Sequence, residues 1–444
     1  MKKLGMWMMS MSLLVMAACS SSENPSGSDS PSKSVTTTNE TAAKTVKEEP
    51  PVKLTIYLWQ PLDEKEFNTL LVEPLKKKYP HITLEPIRTG KGQNNLAELI
   101  ASGIVPDLVT QFNGYIPSMK QLDVLEDSTP LLKKHNIDIN RFEPAILDAI
   151  RINSDKGELY GLPYSVQFSA TYYNKDIFDK FGVGYPQDGM YWEDAIELAK
   201  KLTRMDGSAQ YRGLNYEHMS RLSSAYGLDI VNGKTDRANL DIPVWRQVFE
   251  LGKTIYSIPG NRPPNVEGDA YNHFFKERNT AMLTTVNVFN MVNDAATAGA
   301  NLDVAQYPSF RDKPNTYGLV DSHYMIVLKQ SKNKDAAAKV LEVITADEVQ
   351  LASAQQLVKL SPLTNPSMKQ NFGAGNPAFK GMHITSIFKS KPAPAPFFSV
   401  YYPDGRTVLS ATAKDFIAGS KDVSTALREG NEALDQKIAG IKGK

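Results

Sequence analysis

The chain of 444 residues has a single cysteine, Cys19, so no disulfide can form within it. A small extracellular scaffold needs such staples, whereas a chain of this length can bury a core without them. It also lacks a charge bias: Lys+Arg total 50 and Asp+Glu 49, a net charge of +1. That balance argues against a nucleic-acid partner, which requires a concentrated basic surface. The apolar run Met6–Met16 is broken by Ser10 and Ser12 and falls short of the ~20 residues of a membrane span, and no later stretch approaches that length. Histidine is scarce, at six, with no His-Glu-x-x-His. No Gly-x-Ser-x-Gly elbow, calcium-loop spacing or internal repeat occurs. Tryptophan is scarce too, 4 against 19 tyrosines, so aromatic chemistry here is mostly tyrosine chemistry.

What is present begins at the N-terminus. Lys2 and Lys3 precede the apolar run, and Ala17 and Ala18 precede Cys19. A basic start, a short hydrophobic segment and small residues describe a secretory signal peptide over 1–18. Met16-Ala17-Ala18-Cys19 resembles a bacterial lipobox, although lipoboxes prefer Leu where Met16 stands. The resemblance implies lipidation of Cys19 and attachment to the extracellular face of the cell membrane, as suits a Gram-positive surface. Residues 19–50 are rich in Ser, Thr, Asn, Pro, Glu and Lys, with almost nothing bulky to bury. Such a segment reads as a disordered tether with a reach of roughly 30 Å.

The remaining length suggests two domains. Val52, Leu54, Ile56 and Leu58 alternate with more polar residues, a strand signature. A helix is expected over 63–79, kinked or broken at Pro74. A strand over 82–87, a helix over 93–102 and a strand over 108–110 follow. Strand, helix, strand, helix, strand is an α/β pattern with a parallel sheet. Further on, Leu159–Pro163 reads as a turn feeding an extended run, Tyr164–Tyr173. Helices are expected over 191–204, 335–345 and 423–440, the last capped by Ser424. Strands are expected around 282–288 and 324–328.

Several segments in order resemble the extracellular solute-binding proteins of carbohydrate ABC transporters, the family that includes maltose-binding protein. They are KKKYPHITLE (76–85), IASGIVPDLV (100–109), LYGLPYSVQFSATYYNKDIFDKFGV (159–183) and YRGLNY (211–216), with Pro186, Asp188, Gly189, Trp192 and Gly207 between. The resemblance covers the chain from about 52 to the C-terminus. It implies an α/β fold of two lobes, each a mainly parallel sheet flanked by helices, joined by a multi-strand hinge that closes on solute. The lobes would comprise 52–166 with 320–362, and 167–319 with 363–444. The implied partners are a carbohydrate, expected to be an oligosaccharide, and the transmembrane subunits of a permease. No cofactor, no metal and a monomeric state are expected.

A sugar site needs short polar side chains and aromatic platforms. Strand-end loops offer Trp59, Gln60 and Asp63, then Gln111, Phe112 and Asn113. Gln167 aligns with a hinge carboxylate of the maltose-binding relative. Asn215, Tyr216 and Glu217 follow the YRGL strand, and Asn287 ends the strand near 288. Asp321 and His323 stand near the second crossing, and Tyr401, Tyr402 and Arg406 where the family places aromatic and Arg contacts. Each has a plainer competitor. Trp59 could be lobe core, Gln60, Asp63 and Glu217 solvated loop residues, and Asn113 and Asn215 turn formers. His323 could be structural, and Tyr401-Tyr402 could be buried rings before a Pro403-Asp404-Gly405 turn. Trp192 and Trp245 lie at helical spacing and are assigned to core.

Two rival readings remain. A lipid-anchored polysaccharide hydrolase would need two convergent carboxylates or a nucleophile with its base. A ferric-ion binder of the same fold could use Tyr172-Tyr173 and Tyr401-Tyr402, since phenolates suit a hard trivalent ion.

Overall fold

The computed structural model describes residues 49–59, 62–88 and 95–443. The signal peptide, Cys19, nearly all of the tether and Gln60 lie outside the described residues. Among the described residues fourteen strands run in chain order: β1 (Val52–Leu58), β2 (Ile82–Arg88), β3 (Leu108–Phe112), β4 (Leu162–Val166), β5 (Ser169–Asn174), β6 (Arg204–Asp206), β7 (Ala209–Asn215), β8 (Val231–Asn232), β9 (Arg237–Ala238), β10 (Thr280–Val286), β11 (Leu302–Gln306), β12 (Thr316–Leu319), β13 (Ser322–Val327) and β14 (Lys391–Ala393). Two five-stranded sheets result, ordered β2-β1-β3-β13-β4 and β11-β5-β10-β7-β6.

In the first sheet β1 pairs in parallel with both β2 and β3, so Val52 lies opposite Ile82 and Tyr57 opposite Val109. Helices cover both faces, which is why β1 is buried on consecutive residues from Ile56 to Leu58 rather than on alternate ones. β13 returns from far along the chain and runs antiparallel to β3 and to β4. In the second sheet β10 pairs in parallel with β7, and β5 runs antiparallel to both β10 and β11. Each sheet is therefore mixed.

The first lobe buries Leu54, Ile56, Val109, Ile326, Leu341 and Ile344 in one cluster. The second buries Tyr172, Trp192, Trp245, Met282, Leu283 and Leu434 in another, with both tryptophans in the core as expected. Val166, Val320, Ala395 and Phe398 form a small third cluster where the chain crosses between lobes. The expected extended run 164–173 is divided there. β4 belongs to the first sheet and β5 to the second, with Gln167 and Phe168 between them. The second crossing joins β12 to β13 through Val320 and Asp321. At the third, Leu360 bridges Val166, Leu363 and Met368 pack in the first core, and Phe372 packs in the second. Ala354 and Val358 already pack in the second core, so the chain passes between the two cores over 354–372, a stretch that includes the expected 362/363 boundary.

Three local features differ from expectation for identifiable reasons. The helix is not broken at Pro74 but runs from Glu64 to Lys78 through one wide turn, Asn68–Val72, whose misfit accommodates the amide that proline lacks. The helix Val423–Lys442 is capped by Asp422, whose carboxylate accepts from the Thr425 amide at 3.0 Å, and not by Ser424. Pro403-Asp404-Gly405 is no turn but the opening of the helix Tyr402–Ala418, where proline is tolerated in the first turn.

Candidate functional site

At the crossings the lobes enclose a cavity of about 230 Å³. β1 and β3 end there, because parallel strands deliver their C-terminal loops to one edge. They bring Trp59 and Phe112, whose rings stack with centroids 5.7 Å apart and planes 29° from parallel. Tyr115 lies 4.6 Å from Trp59 and extends the aromatic surface. Tyr402, from the first turn of its helix, meets Phe112 at 6.4 Å and Tyr115 at 6.3 Å. The aromatic wall therefore carries residues of both lobes.

Polar groups face it from the hinge. The Gln167 amide N–H donates to the Asp321 carbonyl at 2.8 Å, so the first two crossings hold each other. Gln167 Nε2 lies 3.3 Å from His323 Nε2. Burial, with Lys359 nearby, lowers the His323 pKa to about 3, so the imidazole is neutral and accepts at Nε2. Gln167 Oε1 and Asp321 Oδ1 are buried without a hydrogen-bond partner among the described residues. Burial pushes the Asp321 carboxyl up, while Arg221 and Arg406 draw it partly back. Two unmatched acceptors at one cavity are costly unless something else binds them.

Arg221 lines the same cavity and is held from behind. Asn215 Oδ1 accepts from the Glu217 amide at 2.8 Å, supporting a left-handed Glu217 with φ 66°. The Glu217 carboxylate then accepts from Arg221 Nε at 2.8 Å, Tyr271 Oη at 2.8 Å and Thr285 Oγ1 at 2.5 Å. Burial alone would raise the Glu217 pKa. The charge of Arg221 and the contact with His218 outweigh it and hold the carboxyl well below its usual range. Arg406, one turn beyond Tyr402, also reaches the cavity and forms no ion pair among the described residues. The arrangement offers one aromatic face, two guanidinium groups and a set of hydrogen-bonding groups of both kinds, and the cavity-lining residues include one carboxylate, Asp321.

Comparison with known proteins places this architecture. Residues 54–351 match the family described as bacterial extracellular solute-binding protein. The chain belongs to that family. A binding protein of Brucella abortus (strain 2308) is 28% identical over 212 residues, 45% of this chain and 48% of the relative. The arabinooligosaccharide-binding protein of Halalkalibacterium halodurans is 25% identical over 207 residues, 43% of each. The chain thus spans about half the length of these curated relatives. Among solved structures, the ABC substrate-binding protein of Listeria monocytogenes in complex with cycloalternan superposes with a TM-score of 0.71 at 20% identity. The match covers 88% of this chain and 99% of that one. The sugar-binding protein MalE of Xanthomonas citri gives 0.67 at 19%, covering 88% and 98%. These likenesses show the shared two-lobed fold.

In this solute-binding protein Trp59, Gln167, Asp321, His323, Tyr402 and Arg406 are brought together at the cavity. Other expected site residues lie elsewhere. Asp63 caps the helix Glu64–Phe67 in a reciprocal box with Glu66. Gln111 is buried, and its Oε1 accepts from the Phe112 amide. Asn113, fully buried, ties the end of β3 to the second crossing by donating to the Val320 carbonyl at 2.9 Å. Asn215 supports the Glu217 turn and accepts from Tyr256 Oη at 3.1 Å. Tyr216 is fully buried and stacks on Tyr256 at 4.4 Å. Glu217 stands behind Arg221 rather than in the lining. Asn287 donates to the Val358 carbonyl at 2.9 Å, and its Oδ1 accepts from the Phe289 amide at 3.1 Å. Tyr401 packs in the second core, as do Tyr172 and Tyr173, so the two tyrosine pairs are not gathered at one cavity.

The sequence reading missed Arg221, Ser220, Ser224 and Tyr317, which also line the cavity. One signal was available for Arg221: it lies four residues after Glu217, the spacing of a helical ion pair.

Proposed function

We propose that the protein is the substrate-binding component of an ABC importer for carbohydrate. It captures the solute in the cleft between its lobes and delivers it to a membrane permease, without chemistry and as a monomer. The observation that carries this reading is the aromatic wall of Trp59, Phe112 and Tyr402 set against Gln167 and Asp321, whose buried acceptor atoms lack partners. A sugar ring has an apolar C–H face for the first and hydroxyl donors for the second. Ligand binding draws the two lobes together by shifting a hinge equilibrium towards the closed form. The relatives named for arabinooligosaccharide and crystallised with cycloalternan support a carbohydrate. The signal-like segment before Cys19 supports export and a lipid anchor there, with the chain retained on the extracellular face of the membrane.

A thermal-shift screen over mono- and oligosaccharides tests the assignment, because a ligand held at 100 times its Kd stabilises by about 2.7 kcal/mol. At least one sugar should raise the melting temperature of the wild type and fail to do so for Trp59→Ala. If no sugar raises it, the carbohydrate reading is wrong. If a bound oligosaccharide is cleaved and cleavage stops in Asp321→Asn, the hydrolase reading takes its place.

A further inference from the structure

Eight residues other than glycine have a left-handed backbone among the described residues, and Val358, with φ 51°, is the one that is β-branched. A branched Cβ is crowded in that conformation, so Val358 is a true outlier rather than an ordinary turn residue. It ends the wide turn Ser353–Leu357, a place where a helix stop commonly takes glycine. No residue of the first two crossings between the lobes, 166–169 or 319–322, has such a backbone.

The neighbours of Val358 explain how the strain is held. Before it, Val349 and Leu357 pack with the first core. After it, Lys359 Nζ lies 2.7 Å from Glu66 Oε1 in a largely buried ion pair. The Leu360 carbonyl accepts from the Val166 amide at 2.9 Å, and the Ser361 hydroxyl donates to Gln350 Oε1 at 2.8 Å. These bonds tie the chain on both sides to the first lobe. Val358 turns the other way, as Ala354 does one turn earlier. Its side chain is buried in the second core, and its carbonyl accepts from Asn287 Nδ2 at 2.9 Å, just beyond the end of β10. A crevice of about 140 Å³ adjoins it, lined by Glu66 from the first lobe and by Phe289 and Asn290 from the second, so the backbone has room to turn.

We propose that Val358 is a strained pivot between the lobes. Asn287 and the second core hold it left-handed in the arrangement that encloses the cavity, and it returns to an ordinary backbone as the lobes part. Because the chain on either side is fixed to the first lobe, a change in lobe angle is taken up as backbone rotation at this residue. Strain present in one arrangement alone biases the equilibrium towards the other. The empty protein is therefore biased towards parted lobes, and bound solute supplies the difference. The proposal holds for any solute and does not depend on the carbohydrate reading.

Double electron–electron resonance on the full chain carrying Cys19→Ser tests this with no ligand present. Nitroxides at Lys133→Cys in the first lobe and Glu250→Cys in the second, both exposed positions, report the interlobe distance. The empty protein should show a population at a longer distance than this structure gives. Val358→Ala and Val358→Gly both remove the two γ-methyl groups, and only glycine also removes the Cβ that the left-handed backbone crowds. The ratio of short to long distance should be at least about fivefold higher in the glycine variant than in the alanine variant. Asn287→Ala leaves Val358 in place but removes its partner in the second lobe, so the ratio should fall below that of the wild type. Equal ratios in the glycine and alanine variants would show that the backbone stores nothing that bears on lobe angle. An empty wild type found only at the short distance, or an Asn287→Ala protein with an unchanged ratio, would equally overturn the pivot.

Discussion

Asp321 shows how one residue can be poor for the fold and good for a site. Its carboxylate is buried, Oδ1 has no partner among the described residues, and burial raises its pKa. A carboxyl whose folded pKa is raised binds its proton more tightly when folded than when unfolded. Its penalty is therefore absent well below the ordinary Asp value and grows as pH rises through the folded value. Asp321→Asn removes the charge but keeps the shape. We expect the ligand-free variant to melt higher than the wild type at pH 8, with the two curves meeting as pH falls towards 4. The same variant should bind its sugar at least tenfold more weakly, because a charged acceptor is replaced by a neutral one. A lower melting temperature at pH 8 would show that the carboxylate has an internal role. Gln167 is the neutral counterpart. Gln167→Ala removes an Oε1 that satisfies nothing in the free protein together with the Nε2 contact to His323, so stability should fall by about 1–3 kcal/mol while affinity falls markedly. An unchanged Kd in titration would remove Gln167 from the site.

At the scale of elements, the segment from Asn215 to Ser224 is the most consequential. A strand end, a left-handed Glu217 and one short helix place Arg221 in the cleft with its counter-charge behind it. Removing one partner of a buried pair costs about 3–5 kcal/mol, because the other charge is left uncompensated. Glu217→Gln should lower the urea midpoint accordingly. The double variant Glu217→Gln with Arg221→Met should recover most of that stability and none of the binding. If the double variant binds sugar normally, Arg221 is only a structural cation.

This segment also marks how far the sequence could be read. Elements whose signal is local were legible. β1 was expected at 52–58 and runs Val52–Leu58, and the helix expected at 191–204 runs Trp192–Leu202. Site residues were legible where a strand end or a crossing fixes them, as with Trp59, Gln167 and Asp321. They were not legible where one residue of rotation decides between cleft and core. Tyr216 directly follows a strand and Tyr402 begins a helix, and nothing local tells the core tyrosine from the cavity-lining one. Arg221 escaped because its place depends on a buried cage around Glu217 whose members Tyr271 and Thr285 are more than 50 residues from that glutamate.

The whole molecule adds what no segment contains. β13 lies between β3 and β4 although some 150 residues separate it from the latter, and that return is what makes the hinge a bundle of crossings. A hinge of short crossings permits rigid lobes to swing with little internal change. The first lobe's loop packs close to the helix of Tyr402: a Cβ added at Gly114 would stand 3.3 Å from the Tyr402 ring and 2.6 Å from that of Phe112. Gly114→Val should therefore displace the Phe112 ring and press it and the loop against Tyr402, disfavouring the closed form. In small-angle scattering the wild type should show a smaller radius of gyration when saturated with its sugar. The valine variant should bind more weakly and show a smaller decrease at saturation. A wild-type radius that does not change on saturation would mean that solute enters a rigid cleft. A variant that contracts as fully as the wild type would mean that the Gly114–Tyr402 contact has no part in closure.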